Sequence, residues 1–247
     1  MDGRFGQELE ARLEQILKLN PQDRPEQIAG LVHELQVDKA GAPYLGHPRR
    51  VALTTFLLLS ELVGRFSQAE ISTAVQAAWL HDVIEDSGDT FPLIGISDLR
   101  GWGIAEEVLE IVEILTKTEK VELLPSEDPY YQRIKTHSLA RLVKLSDLAD
   151  NCNEERVAKL PAGFSKVDYY NKAVDFLDLD DAERFLFNYR IDLPAEITQE
   201  IWDQGLTGDL LRPYAFLPVR KGRMNFSQMY VRGCNKRRAA ERGNKSE

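Results

Sequence analysis

Apolar residues recur at helical spacing along most of this chain. Leu9, Leu13, Ile16 and Leu17 lie three or four apart between Gln7 and Leu19, which lays one apolar stripe along a helix that Asn20-Pro21 ends. Pro25, suited to a first helical turn, opens a second segment that runs to about Leu35. Asp38 to Gly46 reads as a loop held by Gly41 and Pro43. Pro48 then fits the first residue of another helix, with His47 just before it. The pattern predicts helices near 49 to 63, 68 to 86, 104 to 116, 129 to 151, 167 to 177 and 180 to 188. Strand alternation is scarce: Leu93 to Arg100 lacks it, and only Met229 to Val231 suggests a short extended piece. Beyond Leu193, Pro194, Gly205, Gly208, Pro213 and Pro218 interrupt the pattern and leave one further helix at 195 to 203. No internal repeat is present, so the expected fold is all-α, a helical bundle with a C-terminal extension.

With 247 residues and 43% hydrophobic side chains, the chain can bury one large helical core with a small subdomain or a tail beside it. The apolar run Phe56 to Leu59 is far too short to span a bilayer. Met1-Asp2-Gly3-Arg4 leads into a charged amphipathic helix and not into a signal peptide. Cys152 and Cys234 make neither a disulfide framework nor a close metal-ligand pair, so a reducing cytoplasm is the expected compartment and Cys152 a small buried hydrophobe. Charge is uneven: Arg212 to Glu247 carries ten Lys or Arg against two Asp or Glu, which leaves 21 against 38 for the rest. An acidic body argues against nucleic acid around the centre of the chain, and the basic end reads as a solvated run. Its last dozen residues, Lys236 to Glu247, have the composition of a disordered tail.

The chemistry concentrates in His81-Asp82-Val83-Ile84-Glu85-Asp86. If the helix from Ala74 continues through Glu85 and stops near Ser87-Gly88, His81 lies above Glu85 and Asp82 above Asp86, because side chains four apart share a face. A His-Asp pair by itself is commonly a solvated surface pair, but partners stand elsewhere in the chain. His47 precedes the third helix, and Asp147 shares a helix face with Asn151 in Val143-Lys144-Leu145-Ser146-Asp147-Leu148-Ala149-Asp150-Asn151. His47, His81, Asp82 and Asp147 would make a mixed nitrogen and oxygen ligand set with positions open to water. Such a set suits Mn, Fe or Zn in a reactive site better than it suits a structural thiolate site.

The order His47, His81-Asp82-x-x-Glu85-Asp86, Asp147 resembles the HD-domain metallophosphohydrolases, and the added Glu-Asp narrows the resemblance to alarmone hydrolases of the RelA/SpoT type. The flanks are similar too. Lys39-Ala40-Gly41-Ala42-Pro43-Tyr44-Leu45-Gly46-His47-Pro48 resembles that family's Lys-x-Gly-x-Pro-Tyr-x-x-His-Pro. Gly88-Asp89-Thr90, Trp102-Gly103, Leu115-Thr116-Lys117, Lys144-Leu145-Ser146-Asp147 with Asn151, and Tyr170-x-x-Ala173 follow in the family's order, so the resemblance spans roughly Pro25 to Leu177. It implies that His47, His81, Asp82 and Asp147 bind a metal, typically Mn2+ with other divalent transition metals also fitting. It implies that Glu85 and Asp86 handle the attacking water, and that Lys39 and Asn151 contact the nucleotide's phosphates and sugar. The activity implied is that of a guanosine 3',5'-bis(diphosphate) 3'-pyrophosphohydrolase, releasing pyrophosphate from the sugar 3'-oxygen. The chain then divides into an N-terminal helix (1–24), an HD-type phosphohydrolase domain (25–190), an extension (191–231) and a basic, disordered tail (232–247).

Departures from the family pattern fall on the substrate side. Asp38 stands where the family has an Arg that lies against the purine, so Asp38→Arg is expected to raise activity if that cation limits recognition. Leu35 replaces Gly in His33-Glu34-Leu35-Gln36, and Glu154-Glu155 follow Asn151 where Thr is common. Carboxylates there would repel a polyphosphate unless Lys144, Arg156 or Lys159 compensates. Two alternatives therefore stay open: an HD hydrolase of another nucleotide or dinucleotide phosphate, and a catalytically inactive nucleotide-sensing HD module. A nucleic-acid binder driven by the basic tail is a third. The partner expected is a small-molecule nucleotide, without membrane or nucleic acid, and the sequence leaves self-association open.

Overall fold

A computed structural model describes residues 3–180 and Glu183, apart from residues 40, 63, 89, 90, 120–122, 164 and 165. The helix expected at 195 to 203, the piece at 229 to 231, most of 180 to 188, Cys234, the extension and the tail lie outside the described residues. The described part is helical, with no β-strand and a single isolated antiparallel bridge, Val37 to Pro43, across the loop.

Eleven α-helices follow one another in the described residues: α1 (Gly3–Leu17), α2 (Arg24–Val32), α3 (Gly46–Glu61), α4 (Gln68–Leu80), α5 (Val83–Asp86), α6 (Ile96–Gly101), α7 (Glu106–Leu115), α8 (Pro129–Lys135), α9 (Ser138–Asn151), α10 (Glu154–Val157) and α11 (Val167–Phe176). The centre is α4. Ile71, Ala74, Val75, Ala77, Ala78, Trp79 and Leu80 are all buried, because α2, α3, α7 and α9 pack around it. Ala74, Ala77 and Ala78 have no exposed surface, and their small side chains leave room for the neighbouring helices. Its start is fixed by Ser67, whose Oγ accepts from Glu70 N–H while Glu70 Oε2 accepts from Ser67 N–H at 2.7 Å. Leu9, Leu13 and Ile16 of α1 and the stripe Val108, Leu109, Ile111, Val112 and Leu115 of α7 pack against the same core.

Several elements and boundaries differ from the sequence expectations. The helix expected over 129 to 151 is two helices: Thr136 Oγ1 donates to Arg133 O at 2.8 Å, and the His137 ring accepts from Ala140 N–H, so polar side chains satisfy the backbone and start a new helix without Pro or Gly. α6 has no counterpart in the sequence reading; six residues are too few to display a period, and its start is held by Asp98 accepting from Gly95 N–H at 2.8 Å. The helix expected over 68 to 86 stops at Leu80 and resumes as α5, so the stacking of His81 over Glu85 on one unbroken face is corrected. Likewise His47 lies within the first turn of α3, which starts at Gly46, with Pro48 tolerated there because its missing N–H has no partner to lose.

Candidate metal centre

His81 and Asp82 form the junction between α4 and α5. Along an unbroken helix consecutive side chains point about 100° apart. Here Asp82 adopts φ −103° and ψ −6°, and its Oδ2 lies 3.0 Å from His81 Nε2. From α3, His47 turns its Nε2 to the same point, 3.4 Å from Asp82 Oδ2 and 3.3 Å from His81 Nε2. His47, His81 and Asp82 each offer a ligand atom within 4.8 Å of the others, a group able to hold a metal ion. Asp147 of α9 reaches this group through the imidazoles, its Oδ1 3.2 Å from His47 Nε2 and 3.8 Å from His81 Nε2. His47, His81 and Asp147 are buried and Asp82 is partly so.

The donor set fits a cation. His81 Nδ1 lies 2.7 Å from Ala78 O, which can only accept, so the neutral ring carries its proton on Nδ1 and leaves Nε2 bare. His47 Nδ1 lies 2.7 Å from Asp150 Oδ2. Two ring nitrogens thus face each other among carboxylates, an arrangement that requires positive charge between them, either protons or a metal ion. Burial works against charge on His47, but the bonds to Asp147, Asp150 and Asp82 outweigh it and raise its pKa well above the ordinary histidine value. The His81 pKa is raised in the same way: burial opposes charge, and Asp82 overcomes it. Burial also opposes ionisation of Asp82 and Asp147, yet both are held below the usual carboxylate range, Asp82 by the two imidazoles and Asp147 by Lys144 first.

Polar neighbours fix these groups. Tyr44 Oη donates to Asp82 Oδ2 at 2.6 Å; burial first, then Asp82 and Asp86, keep its phenol protonated and a donor. Lys144 Nζ donates to Asp147 Oδ2 at 2.7 Å and sits over the Tyr130 ring, 5.3 Å from its centroid. Asn151 Nδ2 donates to Asp147 Oδ1 at 2.6 Å, so this expected nucleotide contact also orients a candidate ligand. Glu85 lies at the rim, solvent-exposed, with its carboxylate accepting from Lys117 N–H. Protein packed around that carboxyl pushes its pKa up to about 7, against the Lys117 bond and with Asp82 and Asp86 adding repulsion. Asp86 is partly buried, near the Tyr44 hydroxyl, and its carbonyl accepts from Gln36 Nε2 at 2.9 Å. Lys39 is exposed on the loop between α2 and α3 and makes no ion pair to the cluster among the described residues.

Asp38 does not project an unbalanced charge at the site. Its side chain is 8% exposed and lies 3.8 Å from Arg156 Nε. Oδ1 accepts from Ala42 N–H at 2.9 Å, closing the loop whose turn needs Gly41 at φ +81°. Arg156, anticipated as a compensating cation, already donates to Asp150 Oδ2 at 2.5 Å and lies beside Asp38, while the side chains of Glu154 and Glu155 lie outside the described residues. The sequence reading assigned no role to Tyr44 or Asp150. Asp150 had a signal: it continues the buried stripe of Leu139, Val143, Ser146 and Asp147, where an unpaired carboxylate would be costly. No protein-family model and no curated protein matches this chain.

Proposed function

We propose that this chain is a metal-dependent phosphohydrolase of the HD type acting on a phosphorylated nucleotide, with guanosine 3',5'-bis(diphosphate) as the first substrate to test and pyrophosphate as the product. The observation that carries the reading is the convergence of His47, His81 and Asp82 within 4.8 Å, with Asp147 beside them. On this reading those four residues hold a divalent ion, Mn2+ being the first choice. When bound, such an ion lowers the pKa of a water and polarises a phosphoryl oxygen.

Glu85 then takes the proton of the attacking water. A carboxylate with a pKa near 7 suits that role, since it is substantially ionised at neutral pH while still basic enough to accept a proton. Asp86 and Tyr44 border the water position, with Tyr44 holding Asp82 in place. Lys39 meets phosphate from the exposed loop, and Asn151 keeps Asp147 aimed at the imidazoles while offering its remaining groups to the sugar. In the reaction the water oxygen bonds to phosphorus, the bond from phosphorus to the ribose 3'-oxygen breaks, and a proton replacing the one that Glu85 removed from the water ends on the departing oxygen as the 3'-hydroxyl.

The test is Mn2+-dependent pyrophosphate release from guanosine tetraphosphate by the purified protein, with Glu85→Gln as control and other phosphorylated nucleotides alongside. Release lost in the control supports the reading. Cleavage of a different nucleotide alone keeps the chemistry and changes the substrate, a result favoured by the absence of a cation at position 38. Mn2+ binding without turnover of any nucleotide overturns the hydrolase reading in favour of a sensing module.

A further inference from the structure

His47 is held from both edges by one helix. Asp147 and Asp150 stand three residues apart on α9, on one face, and meet opposite nitrogens of the same imidazole: Asp147 Oδ1 lies 3.2 Å from Nε2 and Asp150 Oδ2 lies 2.7 Å from Nδ1. The two contacts have different consequences. On the Nε2 side Asp147 joins His81 and Asp82 as a candidate ligand. On the Nδ1 side Asp150 is too far round the ring to share that role, and what it can do is accept a hydrogen bond from Nδ1–H.

Asp150 is 8% exposed and gripped by two arginines. Arg50 Nε lies 2.5 Å from Oδ1 and its Nη2 lies 3.1 Å from Oδ2, while Arg156 Nη1 lies 2.5 Å from Oδ2. Arg156 Nη1 also comes within 2.9 Å of His47 Nδ1. Nδ1 cannot both donate to Asp150 and accept from Arg156. The carboxylate is the nearer partner, and the guanidinium already has a shorter, charge-assisted bond to the same oxygen, so Nδ1 carries a proton and donates to Asp150.

We infer that Asp150 is a positioning residue for the metal centre: it accepts a hydrogen bond from His47 Nδ1–H so that Nε2 presents its lone pair to the ion, and Arg50 and Arg156 hold the carboxylate in that place. The inference rests on the metal reading proposed above. Oriented carboxylates of this kind fix the tautomer and rotation of a ligating ring and raise its basicity, and their loss typically weakens metal affinity about 10–100-fold.

Calorimetric titration of Mn2+ into the chelator-stripped full chain tests it, comparing wild type, Asp150→Asn and Glu183→Gln. The last loosens another buried carboxylate, held by Arg141 at 2.7 Å, and controls for the loss of a buried ion pair. The expected result is a roughly 10–100-fold loss of affinity in Asp150→Asn with unchanged helical content, and no loss in Glu183→Gln. Nitrogen-15 spectra of histidine-labelled wild type loaded with Zn2+ should place the His47 proton on Nδ1, a signature that does not depend on any variant folding. Wild-type affinity in Asp150→Asn, an equal loss in Glu183→Gln, or a His47 proton on Nε2 overturns the role of Asp150. Failure of the wild type itself to bind either ion overturns the metal reading, and this inference with it.

Discussion

Single residues here carry charge that only their neighbours make tolerable. Asp38 is the clearest instance, because the sequence suggested that exchanging it for Arg would add a useful cation. In the structure that carboxylate closes the loop through Ala42 N–H and lies beside Arg156. Asp38→Arg would leave a backbone donor without its partner and set two cations together. The variant should lose about 1–3 kcal/mol of stability and any nucleotide turnover should fall, read as Tm and initial rate. A more active Asp38→Arg would show that this local balance does not matter. Glu85 offers a pH test. Its folded pKa is about 7, above the unfolded value near 4.5, so the native chain holds this proton more tightly. The stability it contributes is complete below about pH 4.5 and is lost as pH rises through about 7. Glu85→Gln stays neutral throughout. In chelator, the variant should therefore gain about 1 kcal/mol over wild type at pH 8 relative to pH 5, a figure reduced for solvent screening at this rim position. A gain that grows towards acid would contradict the raised pKa.

At the scale of elements, much of the helical order was legible in the sequence and the interruptions were not. Long periodic runs such as those of α3, α7 and α9 announce themselves, since each buries a stripe against the core. The junction at His81-Asp82 leaves no such mark: no Gly or Pro signals it, and the run from Ala74 to Leu80 reads smoothly into Val83 and Ile84. What accompanies the break is tertiary: Tyr44, from the loop before α3, and His47, from α3, both meet Asp82. The same limit hid Asp150, whose partners His47 and Arg50 stand about a hundred residues away in sequence. The candidate ligand residues could be named from motifs, whereas the groups that orient them emerge only from packing. Capping, by contrast, is local. Ser67→Ala removes the acceptor for Glu70 N–H at the start of α4 and should cost about 1 kcal/mol in chemical denaturation. Mn2+ affinity should be unchanged, because the centre lies at the other end of that helix.

Across the whole molecule, the candidate centre ties together α3, the junction after α4, and α9, three helices that also share the core. An ion that binds the folded arrangement alone must stabilise it: at a hundred times the dissociation constant the gain is about 2.7 kcal/mol. Mn2+ should raise the Tm of the wild type accordingly and leave that of His81→Ala unmoved, with the variant also less stable without metal because a buried ring and its bond to Ala78 O are gone. An equal Tm rise in both would remove His81 from the ligand set. Among the described residues no helix is long and apolar enough to cross a membrane, and α4 buries Ile71, Ala74, Val75, Ala77, Ala78, Trp79 and Leu80 among its neighbours. With Ala74, Ala77 and Ala78 sealed between helices, only small side chains fit at those places without moving a neighbouring helix. A larger side chain at any of the three would have to move α4 against a neighbour and shift the His81-Asp82 junction that follows it, so overpacking there should disturb the candidate centre without touching any of its ligand atoms.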